Sequence, residues 1–228
     1  MRKHELKIEV AATPAELWKA LTTAHGIESW FAPIAKVEPG VGGGITVGWG
    51  PGMEFTQAIE VWEPEHHLHA GRVDYYIEGN GDTTILRLVE SGFGDDAKFD
   101  GEFESTGKAW PVFMTMLKRS AEAGIDSCSP ATTFRFLDTP SVEVWHRLIA
   151  EKQFCDALVG GTIRHFDPRG CYCVDFADKM LSVFAENCGG KTTLTVTWLL
   201  YGQGSSSDEW RDKWTGLIDR LFPSEPAS

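Results

Sequence analysis

Alternating apolar and polar residues at the start of the chain predict a strand. Leu6, Ile8 and Val10 are separated by single polar residues, as in a strand that buries one face. Thr13 and Glu16 follow with a Pro-Ala pair between them, which is the spacing of a capping box with proline at the first helical position. We therefore predict a strand that leads directly into a helix.

The rest of the first half has the pattern of a β-meander closed by a helix. After a second short helix near residues 27–31, short alternating segments between residues 42 and 93 are separated by turn residues. They predict consecutive antiparallel strands, one of them over residues 68–77. A long helix is predicted over residues 107–123, because apolar residues recur there at helical spacing: Trp110, Phe113, Met114 and Leu117.

The same order of elements recurs in the second half. After a loosely composed segment at residues 124–131, a strand, a Thr139-Pro140 helix start, four strands between residues 161 and 201, and a helix over residues 208–222 are predicted. We therefore predict two domains, residues 1–125 and 130–228, that arose by tandem duplication. Two unrelated halves of similar composition remain the alternative.

The second repeat is predicted to be truncated. In the first half 96 residues separate Pro14 from Trp110, whereas 74 separate Pro140 from Trp214 in the second. A sheet shortened in this way leaves apolar surface that needs a cover. We therefore expect the second repeat to pack within the chain or to form a homodimer, and not to bind a ligand itself.

Composition narrows the classes of partner. The 228 residues carry 33 acidic and 21 basic side chains, a net charge of −12, which disfavours nucleic acid and anionic membrane surfaces as partners. The N-terminal residues show no apolar signal segment, and five cysteines do not suggest a disulfide framework. We expect a cytoplasmic protein.

Five segments of the first half together have the form of a known family. The sequence within residues 4–123 resembles the activator of heat-shock protein ATPase homologue-like (AHSA-like) family of the START/Bet v-type helix-grip (SRPBCC) superfamily, and residues 130–222 resemble the same fold in outline. The segments that carry the resemblance are residues 13–22 (Thr-Pro-Ala-Glu-Leu-Trp-Lys-Ala-Leu-Thr), 27–31, 49–52, 60–64 and 88–93.

The resemblance implies an α+β fold in which an antiparallel sheet curls around a long C-terminal helix, often with an apolar cavity between them. Members of the superfamily include lipid carriers, hormone receptors, polyketide cyclases and co-chaperone domains, so the fold does not decide the function. The residues expected to line such a cavity, or equally to fill it as a core, are Trp30, Phe31, Trp49, Phe55, Tyr75, Trp110, Phe113, Met114 and Leu117.

Binding of a hydrophobic small molecule or lipid in the first domain is the function we expect. An enzyme of polyketide cyclase or hydrolase type, and a protein-interaction or stress-response module, are the alternatives. Acid–base chemistry would require Asp74, Tyr75, Glu90 and His25 to converge at least in part.

No metal or cofactor is predicted, although two clusters have suggestive spacing. His67 and His69 would share one face of a strand, as would Cys171 and Cys173, with Cys188 and His165 nearby in sequence. Neither cluster shows a complete ligand set, and buried cysteine commonly acts as a small apolar residue.

Overall fold

The chain forms two compact units, Met1–Cys128 and Ser129–Ser228. The structure, a computed structural model, describes residues 2–50, 52–79, 81–167, 170–188, 190–202 and 206–223. Pro51 and Asn80, which belong to two of the turns used in the sequence analysis, lie outside the described residues.

The first unit is a seven-stranded sheet with a long helix. The strands follow the order β1-β7-β6-β5-β4-β3-β2, and all six neighbouring pairs are antiparallel. This confirms the α+β helix-grip fold expected from the sequence. Its elements are β1 (Arg2–Val10), α1 (Pro14–Thr22), α2 (Ala24–Glu28), β2 (Ile34–Glu38), β3 (Gly44–Gly48), β4 (Glu54–Glu63), β5 (His67–Ala70), β6 (Val73–Gly79), β7 (Thr84–Phe93) and α3 (Asp100–Ala123).

The capping box at the start of α1 is confirmed. The Glu16 amide donates to Thr13 Oγ1 at 3.2 Å, and the Thr13 amide donates to Glu16 Oε2 at 2.8 Å. These bonds satisfy two backbone donors that a helix start leaves without a partner in the helix. The cap fixes where the chain leaves β1, and so directs α1 over the sheet.

The helix α3 is longer than predicted, because it begins at Asp100 and not near residue 107. Its first turn carries Asp100 and Glu102, whose negative charge stabilises the positive end of the helix dipole. The apolar periodicity starts only at Trp110, so the polar first part of the helix was not predicted. Trp110, Met114 and Leu117 are buried on the helix as expected.

The predicted strand over residues 68–77 is wrong, because the segment forms the two strands β5 and β6. Ala70 pairs directly with Val73, so Gly71 and Arg72 form a two-residue turn. Gly71 has φ of +62°, a left-handed conformation that favours glycine. The strand β2 was also not predicted.

The second unit has a five-stranded sheet in the order β8-β12-β11-β10-β9. Its core contains Trp145, Trp198 and Trp214. The elements are β8 (Cys128–Leu137), α4 (Ser141–Ala150), α5 (Lys152–Ala157), β9 (Thr162–Asp167), β10 (Cys171–Asp175), β11 (Lys179–Cys188), β12 (Lys191–Tyr201) and α6 (Ser207–Leu221).

Helix α4 does not begin with the predicted Thr-Pro cap. Pro140 occupies the N-cap position and has no side-chain oxygen to accept an amide hydrogen.

Among the described helices of both units, none is long and apolar enough to cross a membrane.

Candidate functional site

A small cavity lies in the first unit between the α1–α2 region and the inner face of the sheet. The cavity has a volume of about 20 Å³. The empty space around it, including the part open to solvent, is about 290 Å³. Its two polar lining side chains are Gln57 and Tyr75. The lining residues are Leu21, Ile27, Trp30, Phe31, Ile45, Gln57, Leu68, Ala70 and Tyr75.

Three of the nine residues expected at a pocket line this cavity. They are Trp30, Phe31 and Tyr75. Trp30 is fixed because its indole N–H donates to the carbonyl oxygen of Ala20 at 3.1 Å. The other six lie outside the wall: Trp49, Phe55, Trp110, Phe113, Met114 and Leu117.

Most of the expected aromatic residues nevertheless form one connected cluster around Phe31. The Phe31 ring lies 5.7 Å from Trp110 in a nearly parallel stack and 4.9 Å from Phe113. It also contacts Trp30 at 5.0 Å and Trp49 at 5.2 Å. We call Phe31 and these contacting rings, together with Phe55 beyond Trp49, the aromatic cluster. It runs from the cavity wall to Phe55, whose surface is 47 % exposed.

A buried carboxylate lies next to Tyr75 on the inner face of the sheet. Glu90 on β7 is only 5 % exposed, and the Trp110 indole N–H donates to its Oε2 at 2.7 Å. Tyr75 pairs with Leu88 and Val73 pairs with Glu90, which makes Tyr75 and Glu90 diagonal neighbours on the inner face.

Burial raises the pKa of Tyr75, and the nearby Glu90 carboxylate raises it further. The Tyr75 hydroxyl therefore keeps its proton at neutral pH. It is available as a hydrogen-bond donor at the cavity wall.

A protein-family model described as polyketide cyclase / dehydrase and lipid transport matches residues 1–147, which span the first unit and continue into α4. The chain belongs to this family. The helix-grip superfamily expected from the sequence is thereby confirmed, whereas membership of its narrower AHSA-like branch stays a prediction.

Several solved structures are similar to this chain at low sequence identity. The Aha1 dimer from Colwellia psychrerythraea is 22% identical with a TM-score of 0.47, covering 54% of this chain and 97% of that one. EF2215 from Enterococcus faecalis, a conserved protein of unknown function, is 21% identical with a TM-score of 0.47, covering 53% and 71%. DynU16, from the dynemicin biosynthetic locus, is 17% identical with a TM-score of 0.46, covering 94% and 93%. A search of curated proteins found no significant match.

Of the four acid–base candidates in this family member, only Tyr75 lines the cavity, and Glu90 is its diagonal neighbour on the inner face of the sheet. Asp74 lies on the opposite face of β6, and His25 is exposed with its Nε2 3.1 Å from the carbonyl oxygen of Ile125. Neighbouring residues of a strand point to opposite faces, which separates Asp74 from Tyr75.

The two histidines of β5 share a face, as predicted, and both contact Asp74. His67 Nε2 and His69 Nδ1 each lie 2.8 Å from Asp74 Oδ1. Burial of Asp74 raises its pKa, but hydrogen bonds and charge from both histidines outweigh this, so the pKa of Asp74 is lowered. This cluster is on the outer face of the sheet, away from the cavity.

The cysteines of β10 are both buried, and Cys173 pairs across the sheet with His165. The Cys188 side chain lies outside the description. Within the part of the chain that the structure describes, no group of three or more His, Cys, Asp or Glu side chains could hold a metal ion.

Several lining residues were missed by the sequence analysis. Leu68 and Ala70 alternate with His67 and His69 in one strand, so their apolar face was readable from the same segment that suggested the histidine pair. Gln57 carried no signal, because a single glutamine in a strand is usually a surface residue.

Proposed function

We propose that the first unit binds a hydrophobic small molecule or lipid in this cavity. The observation that carries the proposal is the lining, in which seven of nine residues are apolar. A concave apolar site with a few polar groups is the usual form of a small-molecule site. The family to which the chain belongs includes lipid transport, which agrees with this reading.

The cavity in this conformation is a closed form of the site. A void of 20 Å³ destabilises a fold by about 0.5 kcal/mol at ~24 cal/mol per Å³, whereas an empty ligand-sized void of ~300 Å³ would cost about 7 kcal/mol. A stable fold therefore keeps the site small until a ligand occupies it.

Opening proceeds through the aromatic cluster. Phe31 belongs to the cavity wall and touches Trp49, and Trp49 touches Phe55 near the surface. A rotation of Phe31 joins the cavity to this exposed end. Ring contacts of this kind are each worth only about 0.5–1.5 kcal/mol beyond burial, so a bound ligand can replace them.

The test is to fill the cavity with two added methyl groups. Ala70 is 1 % exposed and lines the cavity, and we expect Ala70→Val to weaken binding of the neutral dye N-phenyl-1-naphthylamine by roughly tenfold. Ala58→Val is the matched control, because Ala58 is exposed on the neighbouring strand β4. Dye fluorescence gives the dissociation constants, and circular dichroism reports whether each variant is folded.

Two results would contradict the proposal. One is a wild-type protein that neither binds the dye nor retains any apolar molecule in native mass spectrometry. The other is a folded Ala70→Val protein that binds as tightly as Ala58→Val, which would move the site elsewhere.

Polyketide cyclase-like catalysis is the second candidate, and the Tyr75–Glu90 pair favours it. A protonated Tyr75 at the cavity wall can donate a hydrogen bond to a ligand carbonyl and so stabilise the negative charge that develops on its oxygen. Turnover of a poly-β-ketone that is lost in Tyr75→Phe, with affinity retained, would select this candidate over simple binding.

A further inference from the structure

We propose that the cavity selects ligands with an uncharged polar group, a hydroxyl or carbonyl, and rejects carboxylates. The inference rests on the proposed function and specifies its ligand class. It excludes free fatty acids and other organic anions among the apolar molecules that would otherwise fit.

The polar side chains of the wall are uncharged. Tyr75 and Gln57 both line the cavity, and each can donate and accept hydrogen bonds. They can pair with a hydroxyl or a carbonyl, but neither supplies the positive charge that a buried carboxylate requires.

The charge that acts on Tyr75 is the negative charge of Glu90. Glu90 is buried, its direct partners across the sheet are Val73 of β6 and His4 of β1, and Trp110 of α3 donates a hydrogen bond to it. Within the described residues no lysine or arginine forms an ion pair with Glu90. Among the described residues, the neutral indole N–H of Trp110 donates a hydrogen bond to the Glu90 carboxylate.

Two basic residues on neighbouring elements have other partners. Arg72, in the turn before β6, forms an ion pair with Glu102. His4 Nε2 lies 2.8 Å from the carbonyl oxygen of Phe103, and the His4 ring stacks on the Phe103 ring. The Glu90 charge therefore acts on Tyr75 without an ion-pair partner among the described residues.

A ligand carboxylate bonded to Tyr75 would be repelled by this charge. Like charges about 10 Å apart, at the effective dielectric constant of about 20 that suits protein sites, lower an association constant by on the order of tenfold. The net charge of −12 adds a weaker, salt-dependent repulsion of the same sign.

The experiment compares two probes of nearly equal shape, neutral 2-naphthol and anionic 2-naphthoate at pH 7. For the wild type we expect 2-naphthol to bind at least about tenfold more tightly. Glu90→Gln keeps an acceptor for the Trp110 indole and removes the charge, so the naphthoate affinity should rise about tenfold with little change for naphthol.

Glu78→Gln is the control for net charge. Glu78 is exposed on the same strand as Tyr75 but on the outer face, so its removal should leave the ratio of the two affinities unchanged. The measurements are made at 0.15 M salt, where surface charge is screened beyond about 8 Å.

Wild-type protein that binds both probes equally would overturn the inference without touching the proposed function, and this comparison does not depend on any variant folding. A rise in naphthoate affinity of the same size in Glu78→Gln and Glu90→Gln would also overturn it, since net charge would then be the cause. If neither probe binds although N-phenyl-1-naphthylamine does, the inference is overturned and the proposed function stands; if none of the three binds and no apolar molecule is retained, the proposed function itself fails.

Discussion

The hydrogen bond from Trp110 to Glu90 can be tested by a double-mutant cycle. Trp110→Phe removes the indole N–H that lies 2.7 Å from a carboxylate only 5 % exposed. A hydrogen bond to a charged group is worth about 1.5–3 kcal/mol, and a neutral one about 0.5–1.5 kcal/mol. The lost ring volume destabilises both backgrounds alike. Trp110→Phe should therefore destabilise the wild type by about 1 kcal/mol more than it destabilises Glu90→Gln.

Hydrogen exchange read in peptides of α3 is the suitable assay. A chain with two compact units need not unfold in one step, and a global unfolding curve would mix them. Trp18→Phe is the control, because Trp18 is a partly buried ring of the same unit that contacts Trp62 and is remote in sequence from Glu90. A coupling energy below about 0.3 kcal/mol, or an equal one for Trp18→Phe, would refute the stabilising role of this bond.

Two further predictions concern titratable groups outside the cavity. Because the pKa of Asp74 is lowered from 3.8, its contacts with His67 and His69 stabilise the fold above that pH and are lost as the pH falls through the folded-state pKa. Asp74→Asn should therefore lose less unfolding free energy than the wild type below about pH 4, and parallel acid curves would contradict this. Burial raises the pKa of Cys173 to about 12 while Cys155 is exposed, so iodoacetamide at pH 8 should label Cys155 in the native protein and Cys173 only after unfolding, as read by peptide mass spectrometry. Native labelling of Cys173 at the rate of Cys155 would mean that β10 opens readily.

Much of the first unit could be predicted because its signals are local. The capping box of Thr13 and the alternation of β1 depend on residues close together in sequence, and both are confirmed. The β5–β6 turn was missed although its signal was present. The buried residues are even-numbered as far as Ala70 and odd-numbered from Val73 onward. A continuous strand keeps one parity on each face, so the change indicates a turn at Gly71.

The site was harder to predict than the fold, for a geometric reason. Periodicity shows which face of an element is buried, but not where along a curled sheet two faces meet. Met114 and Leu117 face inward as expected, yet the cavity forms further along, where α1 and α2 contribute Leu21 and Ile27. The Tyr75–Glu90 pair depended on the register of two strands, which a single sequence does not reveal.

The structure also bears on the hypothesis of duplication. Both units run through a strand, two helices, a meander and a closing helix, and in both sheets the first strand neighbours the last. The second meander has four strands where the first has six. Under the hypothesis of duplication, loss of one hairpin would produce this difference, since it removes two strands and leaves the order of the others intact.

One shared contact supports duplication more specifically than topology does. At the beginning of β7, Thr84 Oγ1 donates to the carbonyl oxygen of Ala12 at 2.7 Å, and at the beginning of β12, Thr192 Oγ1 donates to that of Thr139 at 2.7 Å. Each acceptor lies two residues before the first helix of its unit. Aligning these positions places Trp145 opposite Trp18, because each tryptophan lies six residues after its acceptor. Two unrelated halves would have no reason to share this contact, so it supports our proposal of a tandem repeat at residues 1–125 and 130–228 with a shortened second copy.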